Sequence, residues 1–223
     1  PACAGSCVSA RRPPRTWAAE ACAAHFWSRV GIAVSRSLIV GLGNPGAKYA
    51  DNRQNVGFRC VERLARTHGL SFSRQQRRAL VAMGTLRQRA VILAKPRTFM
   101  NKSGYPVASL VNFYRVPLEQ VLVVYDDLDL PLGTTRMRPS GGAGGHRGMR
   151  SVINQLGDQG FPRLRIGIGR PPGRMDPADY VLQDFVADEE PLVEEALEQA
   201  VAAIETWLAE GIDEAMSRYN RSV

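Results

Sequence analysis

Apolar runs of two lengths alternate along residues 37–211, and this alternation constrains the fold more than any other feature of the sequence. Short runs rich in Val, Ile and Leu are typical of buried strands, whereas longer segments with apolar residues every three or four positions are typical of helices. The predicted strands are 37–42, 79–86, 89–96, 120–128, 134–140 and 163–169, and the predicted helices are 56–69, 103–116, 147–157 and 189–211. This order predicts an α/β fold, a single domain with a mixed β-sheet and helices on both faces.

Residues 1–36 differ in composition from the rest of the chain. They are rich in Ala, Ser and Arg, and Glu20 is their only acidic residue. Such a composition resembles an organelle transit segment. We therefore expect 1–36 to be an N-terminal extension that is transit-like or not part of the mature domain, and 37–223 to form the domain itself. No apolar run approaches the roughly 18 residues of a membrane span, so no membrane partner is expected.

The net charge of +8 is distributed unevenly. Residues 176–223 contain 13 acidic residues and two arginines, whereas the remainder of the chain is strongly basic. A basic body suggests a polyanionic partner that binds to one face. The alternative is a solvated basic surface beside an acidic amphipathic helix, and charge alone does not separate the two.

Cysteine, histidine and carboxylate patterns argue against a metal site. The four cysteines include no C-x-x-C pair, and the three histidines are scattered, which fits a reducing compartment without a disulfide framework. Asp126, Asp127 and Asp129 could together bind Mg²⁺, but no phosphate-cradling lysine loop accompanies them. We therefore predict no metal site.

The stretch LIVGLGNPG (38–46) contains the G-x-G-x-x-G pattern of dinucleotide-binding loops. That motif needs a helix at its third glycine and an acidic residue about 20 positions later. A polar segment follows Gly46 instead, and Glu62 lies in the middle of the next predicted helix. A nucleotide-dependent oxidoreductase rests on these glycines alone and is set aside. We expect them to let the chain turn sharply and present Asn44 to a cleft.

Polar residues follow three of the predicted strands, where the strand ends of such a sheet face a ligand crevice. Asn44 follows the first strand, Asn101 lies in TFMNKSG after another, and Asp126 ends a third. An asparagine amide can donate and accept hydrogen bonds, although both asparagines also fit a turn or a helix cap. A carboxylate at such a place can orient a histidine or a water molecule.

A glycine-rich segment, SGGAGGHRG (140–148), places five glycines around His146. Such a segment is flexible, and its backbone can approach a ligand closely. The arginines that flank it are Arg136, Arg138, Arg147, Arg150, Arg163, Arg165 and Arg170. This dense basic region is the best candidate in the chain for binding phosphates.

Taken together, these residues resemble the bacterial-type peptidyl-tRNA hydrolase family. The matching stretches are LIVGLGNPG, NRQNVGF, KPRTFMNKSG, VVYDDLDLPLG, GGAGGHRGMRS and FPRLRIGIGRP, which cover about residues 37–220 in order. The resemblance implies a monomeric enzyme of translation that binds peptidyl-tRNA and hydrolyses the ester between the peptide and the tRNA 3′ end. It implies no metal and no cofactor. The expected compartment is the cytoplasm, or an organelle if residues 1–36 are a transit segment.

The resemblance also implies roles for individual residues. Asn44 and Asn101 match the family's substrate-binding asparagines, and Asp126 matches the aspartate that orients the catalytic histidine. Tyr49 and Met100 match residues that line the substrate cleft. Two further positions match the mobile glycine loop and its substrate contact, His146 and Arg147, the latter standing where many members have asparagine. The residues that match tRNA phosphate contacts are Arg136, Arg138, Arg163 and Arg165.

One departure from the family pattern bears on activity. The family motif is T-R-H-N-x-G, whereas this chain has glutamine, Gln54, where the family has its histidine base. A glutamine amide does not titrate near neutral pH, although it can orient water. We therefore expect binding to be retained and hydrolysis to be impaired, with His146 as a substitute base if its loop folds inward. The alternative is a non-catalytic RNA-binding protein on the same scaffold.

Overall fold

A computed structural model describes residues 36–220 of the chain. The predicted N-terminal extension therefore lies outside the described residues, apart from Arg36, which begins the first strand. The strands are β1 (Arg36–Gly41), β2 (Arg74–Gln76), β3 (Ala79–Leu86), β4 (Arg89–Pro96), β5 (Val121–Asp127), β6 (Thr135–Arg138) and β7 (Arg163–Gly167). The α-helices are α1 (Val56–Thr67), α2 (Gly104–Tyr114), α3 (Arg147–Leu156), α4 (Pro177–Tyr180), α5 (Glu190–Glu210) and α6 (Ile212–Tyr219).

The seven strands form one mixed sheet in the order β2-β3-β4-β1-β5-β7-β6. Strands β4, β1, β5 and β7 are parallel to one another, while β2, β3 and β6 add antiparallel pairs at the two edges. The predicted mixed α/β sheet is confirmed. The carboxyl ends of the four parallel strands meet at one end of the sheet, where a ligand crevice is expected.

Two apolar cores lie on opposite faces of this sheet. On one face α1 and α5 contribute buried residues such as Leu64 and Leu197. On the other face α2 and α3 contribute buried residues such as Leu110 and Val152. Because the strands alternate their side chains between these two cores, β1 is continuously apolar over 38–40 and β5 over 121–125. Helices therefore cover both faces, as predicted.

Three elements were not predicted from the sequence. Strand β2 and helix α4 have only three and four residues, so each offers too short a pattern to recognise. Helix α6 directly follows Gly211. This glycine ends α5, as predicted, but the chain adopts a φ of 96° there and then becomes helical again. A glycine that ends one helix does not exclude another immediately after it.

The acidic C-terminal segment finds partners inside the fold. On α1, Arg59 pairs with Glu190 at 2.7 Å and with Glu194 at 2.9 Å, and Arg63 pairs with Glu194. Helix α5 therefore neutralises Arg59 and Arg63 of α1. Within the described residues, no helix has both the length and the apolar character needed to cross a membrane.

Close backbone packing explains two glycines near the LIVGLGNPG stretch. The Cα of Gly41, at the end of β1, faces the backbone oxygen of Gly57 in the first turn of α1 so closely that a side chain would not fit between them. Only Gly46 adopts a left-handed φ in this stretch, at 114°. Of the glycines expected to turn the chain sharply and present Asn44, Gly46 is left-handed but follows Asn44, whereas Gly41 serves the contact between strand and helix.

Replacement of Gly57 by alanine should destabilise the fold. An added Cβ would lie 2.5 Å from the Leu42 oxygen and 2.6 Å from the Val124 oxygen, and neither backbone atom can move independently of the sheet. We expect a loss of about 1–3 kcal/mol in the free energy of unfolding, measured by urea denaturation. Gly142→Ala is the matched control, because a Cβ added there would meet no other atom within 4 Å. Equal midpoints for both variants would contradict this account.

Candidate active site

A cleft of about 560 Å³ opens at the carboxyl ends of β1, β4 and β5. Most of the residues singled out from the sequence line it together, namely Asn44, Gln54, Met100, Asn101, Asp126, His146 and Arg147. Tyr49 is not among the lining residues, and Lys48 Nζ lies 4.7 Å from the centre of its ring. The loops that follow three strands thus assemble one polar site, as the parallel sheet predicts.

Asn44 is fixed in the cleft by four hydrogen bonds. Its Oδ1 accepts from the backbone N–H of Met100 at 2.9 Å, and its Nδ2 donates to Gln54 Oε1 at 2.7 Å. Its backbone N–H donates to Asn55 Oδ1 at 2.7 Å, and its carbonyl accepts from Asn55 Nδ2 at 3.0 Å. Both atoms of the Asn44 amide are therefore engaged, and the amide orients Gln54.

Gln54 turns its amide nitrogen toward the cleft as a consequence. Its Oε1 is held by Asn44, and no hydrogen bond joins its Nε2 to any of residues 36–220. An amide nitrogen donates and does not accept. The atom left for a ligand or a water molecule at this position is thus a donor, which distinguishes it from the unprotonated nitrogen of a neutral histidine.

The segment that carries Gln54 pairs with a second segment of the chain, which forms another wall of the cleft. The backbone N–H of Gln54 donates to the Val181 oxygen, and that of Arg53 donates to the Gln183 oxygen, both at 2.9 Å. Asn52 Nδ2 adds a bond of 2.6 Å to the Leu182 oxygen. This pairing brings Val181 and Leu182 to the cleft, although no sequence pattern pointed to them.

Arg53, the neighbour of Gln54, is a buried anchor for this pairing. It is 4% exposed, and its two terminal nitrogens donate to the two carboxylate oxygens of Glu189 at 3.0 and 2.5 Å. Its Cζ also lies 4.4 Å from the centre of the Tyr180 ring and 4.8 Å from that of Phe185. Sequence analysis missed this residue. A lone arginine beside a polar motif gives no sign that it will be buried.

The Arg53 pair changes the titration of its carboxylate. Burial alone raises the pKa of the Glu189 carboxyl. The hydrogen bond from Arg53, the backbone hydrogen bond from Val186 and the positive charge of Arg53 act in the other direction, and the net result is a pKa below the ordinary value. Glu189 is therefore held in its charged form against Arg53.

Asp126 pairs with the histidine of the glycine-rich loop. Asp126 is 3% exposed, and its Oδ1 lies 2.9 Å from His146 Nε2. His146 Nδ1 accepts the backbone N–H of Met149 at 3.0 Å and so caps α3. Because Nδ1 accepts, the neutral ring carries its proton on Nε2 and donates it to Asp126. Both ring nitrogens are then engaged, and His146 has no free lone pair with which to act as a base in this conformation.

The other two aspartates after β5 have cationic partners of their own. Asp127 pairs with Arg165, and Asp129 pairs with Arg170 at 2.5 Å. The three carboxylates therefore do not converge on one point. Among residues 36–220, no group of three or more His, Cys, Asp or Glu side chains is placed to hold a metal ion.

The flanking arginines divide into surface and interior residues. Arg138 is exposed and Arg136 is partly so, on the edge strand β6. Arg163 is only 2% exposed, and its guanidinium donates to the carbonyls of Gly141, Gly142 and Gln159. Burial lowers the pKa of this guanidinium. Arg163 therefore holds the glycine-rich loop from inside rather than facing a partner, which its place in an alternating basic strand did not reveal.

The fold and the site together define an α/β protein with a polar cleft suited to binding a substrate, beside an exposed basic edge. A family model described as peptidyl-tRNA hydrolase matches residues 38–223. A peptidyl-tRNA hydrolase of Chloroflexus aggregans is 53% identical over 184 residues, which are 82% of this chain and 98% of that protein. The chain belongs to the peptidyl-tRNA hydrolase family, which confirms the resemblance seen in the sequence.

Two further comparisons bear on structure and function. The crystal structure of peptidyl-tRNA hydrolase from Acinetobacter baumannii superimposes with a TM-score of 0.78 at 35% identity and covers 84% of this chain and 95% of that one. A chloroplastic group IIB intron splicing facilitator of Arabidopsis thaliana is 47% identical over 184 residues, 82% of this chain and 77% of that protein. Relatives at similar identity thus carry names of two different functional classes.

Proposed function

We propose that this chain binds peptidyl-tRNA and hydrolyses the ester between peptide and tRNA, with a rate impaired by Gln54. The observation that carries this proposal is the hydrogen bond by which Asn44 holds the Gln54 amide, in a cleft that Asn101 and Asp126 also line. The family supplies the substrate class, and the glutamine stands at the place of the expected base. The reaction recycles tRNA during translation and needs neither a metal nor a cofactor.

The chemistry explains why the rate should be low. Ester hydrolysis needs a group that takes a proton from the attacking water and a proton for the departing 3′ oxygen. Gln54 presents an N–H donor to the cleft. A hydrogen bond donated to the water oxygen engages the lone pair that must attack the ester, and so it makes the water a poorer nucleophile. Asp126 is already engaged by His146, because its Oδ1 accepts from His146 Nε2. Positioning alone would support the residual reaction.

The remaining site residues have binding roles in this proposal. Asn101 is exposed in the cleft and contacts the substrate backbone, while Asn44 contacts it and also orients Gln54. Met100 lines the cleft and Tyr49 lies beyond its lining. Arg147, exposed at the start of α3, contacts the substrate where other members use asparagine.

The tRNA backbone is proposed to lie along the basic edge of the sheet. Arg136, Arg138 and Arg165 supply the positive charge there, with Arg165 partly compensated by Asp127. Arg163 is left out of this set because its guanidinium is buried against loop carbonyls. Phosphate contacts of this kind give affinity that weakens as salt rises.

A second candidate function is RNA binding without catalysis. The observation in its favour is Gln54 itself, together with the 47% identity to a plant splicing facilitator. Against it stand the retained Asn44, Asn101 and Asp126, because a pure binding module has no need of a polar cleft.

We propose the cytoplasm as the compartment and a monomer as the active form. Similarity to a chloroplastic protein supports an organelle as the alternative compartment.

The two candidates differ in their preference for the acyl end of the RNA. We would compare binding of a peptidyl-tRNA analogue with an amide in place of the ester against binding of the same tRNA without an acyl group. A hydrolase cleft should favour the analogue by about 3- to 10-fold, and Asn101→Ala should remove that difference because it removes hydrogen bonds to the peptide. Equal affinity for the two RNAs would contradict the hydrolase proposal and support RNA binding without catalysis.

Charge reversal on the basic edge should lower the affinity for both RNAs to the same extent. We expect Arg138→Glu to lower the affinity for acylated and deacylated tRNA by about tenfold at low salt, and the loss should shrink as salt is added. Arg66→Glu, an exposed arginine on α1, makes the same change in net charge away from that edge. A loss as large in this control would mean that net charge, and not the β6 edge, determines affinity.

A further inference from the structure

The turn between β2 and β3 holds two arginines in an unusual backbone conformation. Arg77 and Arg78 both have left-handed φ angles, 49° and 60°. Two-residue hairpin turns of this type strongly favour Asn-Gly, because residues with a Cβ are strained there. Backbone strain of this kind persists most often where function requires it. Arg87 and Gln88 adopt the same conformation in the turn between β3 and β4, so the backbone alone does not mark a binding site and the contacts of the side chains must distinguish this turn.

The turn is docked on the end of helix α2. Arg77 Cζ lies 4.6 Å from the centre of the Phe113 ring, and Tyr114 packs edge-on against Phe113 at 4.9 Å between ring centres. The Tyr114 hydroxyl donates to Gln76 Oε1 at 2.5 Å. These contacts fix the turn and hold the Arg77 guanidinium over an exposed aromatic ring.

A third arginine lies beside the turn. The backbone N–H of Arg97 donates to the Arg78 oxygen at 2.8 Å, and Arg97 Nη1 donates to the neutral Gln75 at 2.7 Å. Arg77, Arg78 and Arg97 form no ion pair with any carboxylate among residues 36–220, unlike Arg59 and Arg63 of α1. We call these three arginines and Phe113 the hairpin surface. Its charge remains available for an external anion.

The hairpin surface adjoins the cleft. Arg97 precedes by two residues Phe99, a cleft-lining residue that is 59% exposed, and two residues span at most about 7 Å. The proposed tRNA edge at β6 lies at the opposite side of the sheet from β2. The cleft is therefore flanked by two separate basic surfaces. The ring under the arginine is exposed on the hairpin surface, whereas the Phe161 ring under Arg163, next to the β6 edge, is buried.

We propose that the hairpin surface binds single-stranded RNA other than the acylated 3′ end that the cleft holds. Proteins bind single strands with unpaired positive charges that follow the phosphates and with aromatic or guanidinium planes on which bases stack. The hairpin surface combines both features, since Arg78 and Arg97 face phosphates and the outer face of the Arg77 guanidinium stacks on a base. An acidic peptide would use the charges but would leave the stacked pair without a role. This binding does not depend on hydrolysis of an ester.

The test variant combines Arg77→Asn with Arg78→Gly. It removes both charges while introducing the residues that this turn prefers, so the fold should be kept or strengthened. The probe is a fluorescent 12-nucleotide oligouridylate without an acyl group, measured by anisotropy over a range of salt concentrations. The control is again Arg66→Glu, which changes the net charge by the same amount. Phe113→Leu separately removes the ring and keeps an apolar side chain.

We expect the double variant to bind the probe about tenfold more weakly and to lower the salt slope by about 0.7, because the phosphate contact of Arg78 is lost together with the stacking face of Arg77. Phe113→Leu should lower the affinity for the single strand and leave the affinity for an RNA duplex unchanged. The proposal would be overturned if the double variant bound the probe with the same affinity and the same salt slope as the natural chain. So would an equal loss for the duplex, or displacement of the probe from this surface by a glutamate-rich peptide that binds more tightly than the RNA.

Discussion

Replacement of Gln54 by histidine should raise the rate of peptidyl-tRNA hydrolysis by about 10²- to 10⁴-fold, which is the usual contribution of a positioned general base. Asn44 Nδ2 now donates to the weakly basic Gln54 Oε1. The variant supplies an imidazole whose free nitrogen lone pair, when it faces the cleft, can take a proton from water near neutral pH. The rate should be measured in single turnover with N-acetyl-aminoacyl-tRNA, so that product release does not limit it.

Two controls separate the base from other effects of this substitution. Gln54→Asn keeps an amide and should give no gain. The histidine variant should gain a pH dependence in which the rate rises with pH through a value of about 6.5 as the imidazole loses its proton, whereas the natural chain should lack that step. The affinity for tRNA should be unchanged, because the phosphate contacts lie elsewhere. A rate equal to that of the natural chain would show that position 54 is not the missing base.

The Asp126–His146 pair affects the size of this gain. An introduced imidazole would compete with His146 for the Asp126 carboxylate, since Asp126 Oδ1 already accepts from His146 Nε2. His146→Ala added to Gln54→His should therefore raise the rate further or leave it high. The same substitution in the natural chain should produce no gain, because it frees a carboxylate without supplying a base.

Replacement of Arg53 by methionine should cause the largest loss of stability among the substitutions considered for residues around the cleft. It would leave the Glu189 carboxylate without its bidentate partner and would remove the cation between Tyr180 and Phe185. Breaking a buried pair on one side costs about 3–5 kcal/mol, and the partial exposure of Glu189 favours the lower end. Urea denaturation at pH 7 would measure the loss.

A surface arginine provides the comparison for Arg53. Arg218→Met breaks ion pairs with Glu210 and Glu214 in the exposed C-terminal helices and should leave the unfolding midpoint close to that of the natural chain. Similar losses for the two variants would contradict the assignment of Arg53 as an anchor.

The same pair predicts how stability depends on acid. The pKa of Glu189 is lowered in the fold, so its contribution to stability is present above the ordinary carboxyl pKa and is lost as the pH falls through the lowered value. In Arg53→Met that contribution is absent. The variant should therefore lose less stability than the natural chain between pH 7 and about pH 3. A larger acid loss in the variant would contradict this account.

The sequence revealed most of the architecture because its strong patterns are local. Strands β3 and β4 agree with their predicted bounds, and the end of α3 at Gly157 was visible from the glycine. Asn44, Asn101 and Asp126 were expected in one cleft because the parallel strands that precede them end together. Those predictions needed only periodicity, strand ends and the resemblance to a family.

The residues that sequence analysis missed depend on contacts between distant segments. Arg53 and Glu189 are 136 positions apart, and only the tertiary fold brings them together. Val181 and Leu182 reach the cleft through backbone hydrogen bonds, which leave no trace in side-chain patterns. Arg163 looked like a surface residue of a basic strand, but two carbonyls of the glycine-rich loop and the carbonyl of Gln159 surround its guanidinium.

The most direct test of the account is to measure binding and hydrolysis of one peptidyl-tRNA by the natural chain and by Gln54→His in the same preparation. We predict equal affinity for the tRNA and a slow single-turnover rate in the natural chain, well below that of the histidine variant. Equal and rapid turnover by both proteins would contradict the claim that Gln54 impairs this site, and another group in the cleft would then have to supply the base.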